Sequence, residues 1–146
     1  MNDMLLLIML AGRRAALPAA EVNSVIELTE VTPVPRTLPH IVGLAALRSR
    51  PLTVIDCAAA LGIATGPADW RRQRAVVVEC DGHLYGLLVD RADDIVVALD
   101  DAAPLGADPG TGWQAAALGR VETEAGAVLL LDVGALIAGC GESMAA

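Results

Sequence analysis

Ile41-Val42-Gly43-Leu44-Ala45-Ala46-Leu47-Arg48-Ser49-Arg50-Pro51-Leu52-Thr53-Val54-Ile55-Asp56-Cys57-Ala58-Ala59-Ala60-Leu61 is the stretch around which the rest of the chain is organised. Its first apolar run predicts a strand that ends at Arg48. A turn at Ser49-Arg50-Pro51 follows, then a second strand through Leu52, Val54 and Ile55. Asp56 stands where a helix N-cap belongs, because its carboxylate can accept from the free N–H groups of a first turn. Cys57 to Leu61 reads as a short helix, and Gly62 supplies the left-handed residue that ends it.

Upstream, Met4–Leu10 reads as a buried strand, Ala11-Gly12-Arg13-Arg14 as a turn and Ala15–Leu17 as the start of a return strand. Val22, Val25 and Ile26 fall at i, i+3 and i+4, which predicts a short helical turn. Val31 to Pro35 is extended, since each proline forces its predecessor out of the helical region. Downstream, Ile63 to Gln73 reads as a linker. Arg74–Cys80, Asp81-Gly82 and Leu84–Val89 form a hairpin on a favoured turn dipeptide. Ile95–Leu99 is a further strand, and Asp100 to Gly112, with three Asp, two Pro and three Gly, is a loop. Ala115–Val121 and Val128–Leu131 make a last hairpin; Asp132 caps a helix over Val133–Ala138, and the tail from Cys140 frays.

The order of these elements repeats. A shift of seventy positions carries Gly12 onto Gly82, Leu17 onto Leu87 and Val25-Ile26 onto Ile95-Val96; a shift of seventy-six carries Val54-Ile55-Asp56 onto Leu130-Leu131-Asp132. A five-strand unit of this length buries too little area alone, and antiparallel strands need their edges closed. The expected fold is all-β, with two small five-stranded barrels packed through an apolar face. They form one domain over residues 1–146 from two similar subdomains, about 1–66 and 74–140, with a linker at 63–73.

Composition limits the function. Apolar residues are 55% of the 146, with no Phe, one Tyr and two Trp, so the core must be aliphatic. The net charge of −8, with arginine the only basic residue apart from two histidines, argues against a nucleic-acid partner, which needs a clustered positive surface. Arg71, Arg72 and Arg74 make one short basic cluster, read as a solvated linker. Cys57, Cys80 and Cys140 are widely spaced and odd in number, which implies neither a disulfide framework nor a metal pattern and suits a reducing cytoplasm. Met4 to Ala11 is too short to span a bilayer and follows Asp3 in place of a basic segment, so no membrane insertion is expected.

Catalytic constellations cannot be assembled from these residues. Cys57 at a helix start could be an activated thiol, and a small thiol hydrolase pairing it with His40 is the enzyme reading to set aside. A small buried apolar residue explains Cys57 better, and solvated positions suit His40 and His83. Asp56, Asp90 and Asp132 each follow an apolar strand, which fits capping and turn roles; Asp93-Asp94 and Asp100-Asp101 lack the alternation of a calcium loop. No phosphate loop is possible without lysine, and no G-x-S-x-G elbow is present. The expectation is no catalytic residue, no cofactor and no metal. Arg48 stands apart, as an arginine beside a turn and small residues suited to forked bonds with a partner's carboxylate or carbonyls.

The run Ile41-Val42-Gly43-Leu44-Ala45-Ala46-Leu47-Arg48-Ser49, followed by Thr53-Val54-Ile55-Asp56-Cys57, resembles the I-x-G-x-x-N-L-R-G and P-V-I-D-L pattern of the CheW family of chemotaxis adaptors. Gly86-Leu87-Leu88-Val89-Asp90 is similar to its G-L-L-V-D segment, and Val128–Leu131 with Asp132 to its closing strand and helix. The resemblance implies two SH3-like barrels and an adaptor in the cytoplasm at membrane receptor arrays. Its implied partners are the regulatory domain of a CheA-type histidine kinase and the cytoplasmic tip of a methyl-accepting chemoreceptor. It places partner contacts at Val22, Gly43, Arg48 and Ser49, to which Leu44 and Leu47 add apolar contact where they face outward. Ala46, Ser49, Thr53 and Cys57 depart from the usual Asn, Gly, Pro and Leu, so a divergent regulator that binds only one of the two partners is the alternative.

Overall fold

The computed structural model describes residues 3–35, 38–63, 69–100, 103–104 and 111–139. Ten strands are present among them: β1 (Met4–Leu10), β2 (Arg13–Pro18), β3 (Val22–Ile26), β4 (Ile41–Leu47), β5 (Arg50–Asp56), β6 (Arg74–Cys80), β7 (His83–Val89), β8 (Arg91–Val97), β9 (Ala117–Thr123) and β10 (Gly126–Leu131). Helices α1 (Cys57–Ala60), α2 (Thr111–Ala116) and α3 (Val133–Ala138) are short, with single turns of 3₁₀ helix at Ala19–Glu21 and Trp70–Arg72.

The strands form two five-stranded sheets, in the orders β8-β1-β2-β10-β9 and β3-β6-β7-β5-β4. Within each sheet, strands consecutive in sequence pair antiparallel, while β2 with β10 and β5 with β7 pair parallel. The repeat read from the sequence maps element by element: β1, β2 and β3 correspond to β6, β7 and β8 at a shift of seventy, and β4, β5 and α1 to β9, β10 and α3 at seventy-six. Both sheets therefore have one topology. Yet neither is built from one half of the chain. Each takes a hairpin from one repeat and the remaining strands from the other, so residues 1–66 and 74–140 are not separate subdomains but halves that exchange their first hairpins.

The core joins strands of both halves. Leu6, Ile8 and Leu10 of β1 join Val76 and Val78 of β6, Leu87 and Val89 of β7, Ile55, Leu131, Trp113 and Leu136 in a core shared by both sheets. The alternate residues Leu5 and Leu7 face the other side of β1 and pack with Ala16, Ala98, Val121 and Val128. On the second sheet Leu52, Val54, Ala75, Val77, Leu84 and Leu88 form the matching third cluster. Since side chains alternate across a strand, burying both faces requires an unbroken apolar run. That is why Met4–Leu10 and Ala75–Val78 show no polar alternation.

The sheets are open, not closed barrels. Single bridges draw their edges together: Thr32 with Leu44 in one, and Ala103 with Arg120 and Ala98 with Thr123 in the other. Thr32 and Ala103 are each followed by proline, which has no N–H to continue a ladder. Opposite them lie Gly43 and Gly119, seventy-six apart, and a Cβ on Gly43 would overlap the Thr32 carbonyl.

Other expectations are corrected locally. Val22–Ile26 is a strand, not a helical turn; five residues are too few to separate the two periods, and valine favours the pleated surface. The further strand is Arg91–Val97, not Ile95–Leu99. Helix α2 replaces the end of the expected loop, and the last hairpin begins at Ala117. The rest of the loop at 101–102 and 105–110, the linker residues 64–68 and the tail from Cys140 lie outside the described residues. Arg74 belongs to β6 and pairs with Glu27 at 3.2 Å.

Asp56 and Asp132 cap α1 and α3, accepting from the Ala59 and Gly134 amides at 3.3 and 3.0 Å. Burial pushes the Asp56 carboxyl above its ordinary value, opposed by the amides of Ala59 and Ala58; Asp90 adds to the rise and His40 lowers it. A carboxyl whose folded value is raised binds its proton more tightly in the folded protein, so its contribution to stability is lost as pH rises through that window. Asp56→Asn keeps a good cap and removes this slope. Its melting midpoint relative to the wild type should therefore climb as pH is raised from acid to neutral, measurable by thermal denaturation across that range. Val54→Asp buries an unpaired charge at a fully buried position and should abolish the cooperative melting transition; a normal melting curve would contradict the packing described.

Candidate functional site

The β4–β5 hairpin projects from the edge of its sheet. Its ladder ends at the pair Leu47–Arg50, so the turn is Arg48-Ser49, one residue earlier than the sequence suggested. Both turn residues have positive φ, 52° and 73°, as a two-residue hairpin with the right twist requires. Two other tight turns do the same with Ala11-Gly12 and Asp81-Gly82. Arg48 is exposed and makes no hydrogen bond or ion pair with another described residue. Arg50, with its side chain half exposed, reaches Glu79 only at 3.9 Å, so that pair is held weakly.

Beside this turn lies a groove of about 640 Å³, lined on one wall by Thr29, Glu30 and Thr32 and on the other by residues of β4 and the start of β5, from Leu44 to Pro51. Leu44 is 41% exposed there, a large apolar side chain facing water on an edge strand. The backbone geometry of that edge can be derived. Leu44 gives its N–H and C=O to Thr32, both at 2.8 Å, so both point away from β5. Two residues on, Ala46 points the same way. Pro51, opposite Ala46, has no N–H to offer, which that register tolerates.

The six residues expected to meet a partner are thus distributed. Leu44 and Ser49 line the groove, and Arg48 sits in the turn between its wall residues. Leu47 is half-buried against the sheet's own core. Gly43 is buried, and the backbone that approaches it is the chain's own Thr32. Val22, at the start of β3 on the far edge in ladder order, is half-buried against the shared core. Sequence reading missed Thr29, Glu30 and Thr32 as the opposite wall; the Thr32-Pro33 step was the available signal, because it marks where an extended segment must stop pairing.

The thiol–imidazole reading finds no solvent-open position at either residue. Cys57 and His40 are both fully buried. The His40 ring lies against Gly139, and its Nε2 is 2.8 Å from the Ile137 carbonyl oxygen of α3. The expectation of a solvated His40 is therefore corrected: it fastens the segment before β4 to the helix that follows β10. Asp90 accepts from the Ala11 amide at 2.9 Å and from the Gln73 side chain at 3.3 Å, a structural use that ties two turns together. Among the described residues no group of three or more His, Cys, Asp or Glu could hold a metal ion, and no helix is long and apolar enough to cross a membrane.

The structure is similar to the crystal structure of the scaffolding protein TtCheW from Thermoanaerobacter tengcongensis, with a TM-score of 0.81, 23% identity and 99% of each chain covered. At that identity the likeness establishes the fold. A search of the curated proteins finds no match. The model of the CheW-like domain matches residues 4–140, nearly the whole chain, and the chain belongs to the CheW-like domain family.

Proposed function

We propose that this protein is a non-catalytic adaptor that joins the regulatory domain of a CheA-type histidine kinase to the cytoplasmic tip of a methyl-accepting chemoreceptor. It would work in the cytoplasm at membrane receptor arrays. The family match over residues 4–140 supports the adaptor role, as does the scaffolding protein that shares the fold. The observation that carries the reading is Arg48: a guanidinium held out on a rigid two-residue turn, beside an open groove, with no partner among the described residues. Such a group can form forked, charge-assisted bonds to carboxylates or carbonyls without first giving up an internal pair.

Two weak contacts on one small body are enough for the role. Linked contacts raise effective concentration, so neither needs high affinity alone. The turn keeps its geometry although Ser49 replaces the family's usual glycine, since Ser49 stands at φ 73°. This favours retention of that surface.

Arg48→Glu reverses the charge at an exposed position and should leave the circular dichroism spectrum unchanged. Capture of a CheA-type regulatory domain or a receptor-tip peptide should weaken by at least about tenfold, about 1.4 kcal/mol. Calorimetric titration with each partner measures this, and unchanged affinity for both would remove Arg48 from the binding surface.

A further inference from the structure

The offset of seventy-six residues lays the β9–β10 hairpin on the β4–β5 hairpin strand for strand, one in each sheet. The closing pair Leu47–Arg50 falls on Thr123–Gly126, so the turn Arg48-Ser49 falls on Glu124-Ala125. At the same place in the fold the charge is inverted. Arg48 and Arg50 are exposed at the first turn, Glu122 and Glu124 at the second. Among the described residues the Arg48 guanidinium and the carboxylates of Glu122 and Glu124 make no ion pair, while Arg50 is shared with Glu79 at 3.9 Å. Both turns are fixed in shape. Arg48 and Ser49 are held at positive φ by the ladder that closes at Leu47–Arg50. In the second turn the Thr123 hydroxyl, on a residue only 4% exposed, accepts from the Ala125 amide at 3.0 Å and donates to the Gly126 carbonyl at 2.8 Å. Turns already set in one shape lose little freedom when they dock.

We infer that these turns are the two halves of a contact between copies of this chain: the acidic turn of a second copy seats against the basic turn of the first, with Glu124 of the second copy pairing with Arg48. The inference goes beyond the adaptor reading and does not rest on it. Charge selects the occupant. Docking like turn on like turn would set arginine against arginine or glutamate against glutamate, which is repulsive; only the unlike docking has the favourable sign. The chain carries ten arginines against eighteen acidic residues, so an exposed guanidinium with no ion pair is scarce on this surface, and the copy's own acidic turn complements it. The contact joins unlike patches, so it runs from copy to copy and closes only as a ring or a reciprocal pair. Exposed ion pairs contribute little singly, which makes this a weak association that forms at high concentration.

Sedimentation equilibrium of the full chain from about 10 μM to about 1 mM, the range in which contacts this weak populate, tests the inference. The mass of the wild type should rise above the 15.0 kDa of one chain as concentration increases. Arg48→Glu and Glu124→Arg should each weaken association by at least about fivefold. Both positions are exposed, so circular dichroism should stay unchanged. Glu124→Arg also makes the chain less negative, so a loss of association there is not a result of added net repulsion. The double variant Arg48→Glu/Glu124→Arg keeps the wild-type net charge, exchanges the two signs and should recover association. A mass that stays at one chain up to about 1 mM would overturn the inference. So would association that either single variant leaves intact, or that the double variant fails to recover. No kinase or receptor enters the measurement, so failure here is distinct from failure of Arg48→Glu to impair capture.

Discussion

The shared apolar layer between the two sheets is the constraint on which the architecture depends. Leu6, Ile8 and Leu10 from the beginning of the chain meet Val76, Val78, Leu87 and Val89 from its middle and Leu131 and Leu136 from near its end. No half of the chain owns this layer. Leu5 and Leu7 of β1 and Ala75 and Val77 of β6 are buried on the opposite face as well, so both strands are covered on both sides. The observed strand orders put both inside, with β3, β4, β8 and β9 at the edges.

The reciprocal exchange of hairpins is the arrangement that satisfies this. Four ladders join the halves: β1 with β8, β2 with β10, β3 with β6 and β5 with β7. The repeats are thus held by backbone hydrogen bonds as well as by packing, and His40 adds a side-chain fastening between the segment before β4 and α3. A body tied in this way can present a hairpin turn at a fixed position. That is the physical requirement for an adaptor, whose only output is the relative placement of what it holds.

The candidate surface differs from the core in kind. Leu44, Ala46, Arg48 and Ser49 lie exposed on an edge strand and its turn. The second repeat spends the corresponding edge on itself through Ala98 and Leu99.

Much of this was legible in the chain. The unbroken run Met4–Leu10, the Asp81-Gly82 turn, the capping aspartates 56 and 132 and the seventy- and seventy-six-residue offsets depend on local chemistry: side-chain periodicity, turn conformations and free amides at helix starts. The family pattern at Ile41–Cys57 likewise sits in consecutive residues. What only the tertiary structure decided is which copy pairs with which, that Val22–Ile26 is a strand, that His40 is buried and that Thr29 faces Ala46 across a groove. Two near-identical hairpins satisfy the same local rules in either sheet. The choice rests on pairings between residues far apart in the chain, such as Leu5 with Val96 and Ile26 with Ala75, which no local pattern contains.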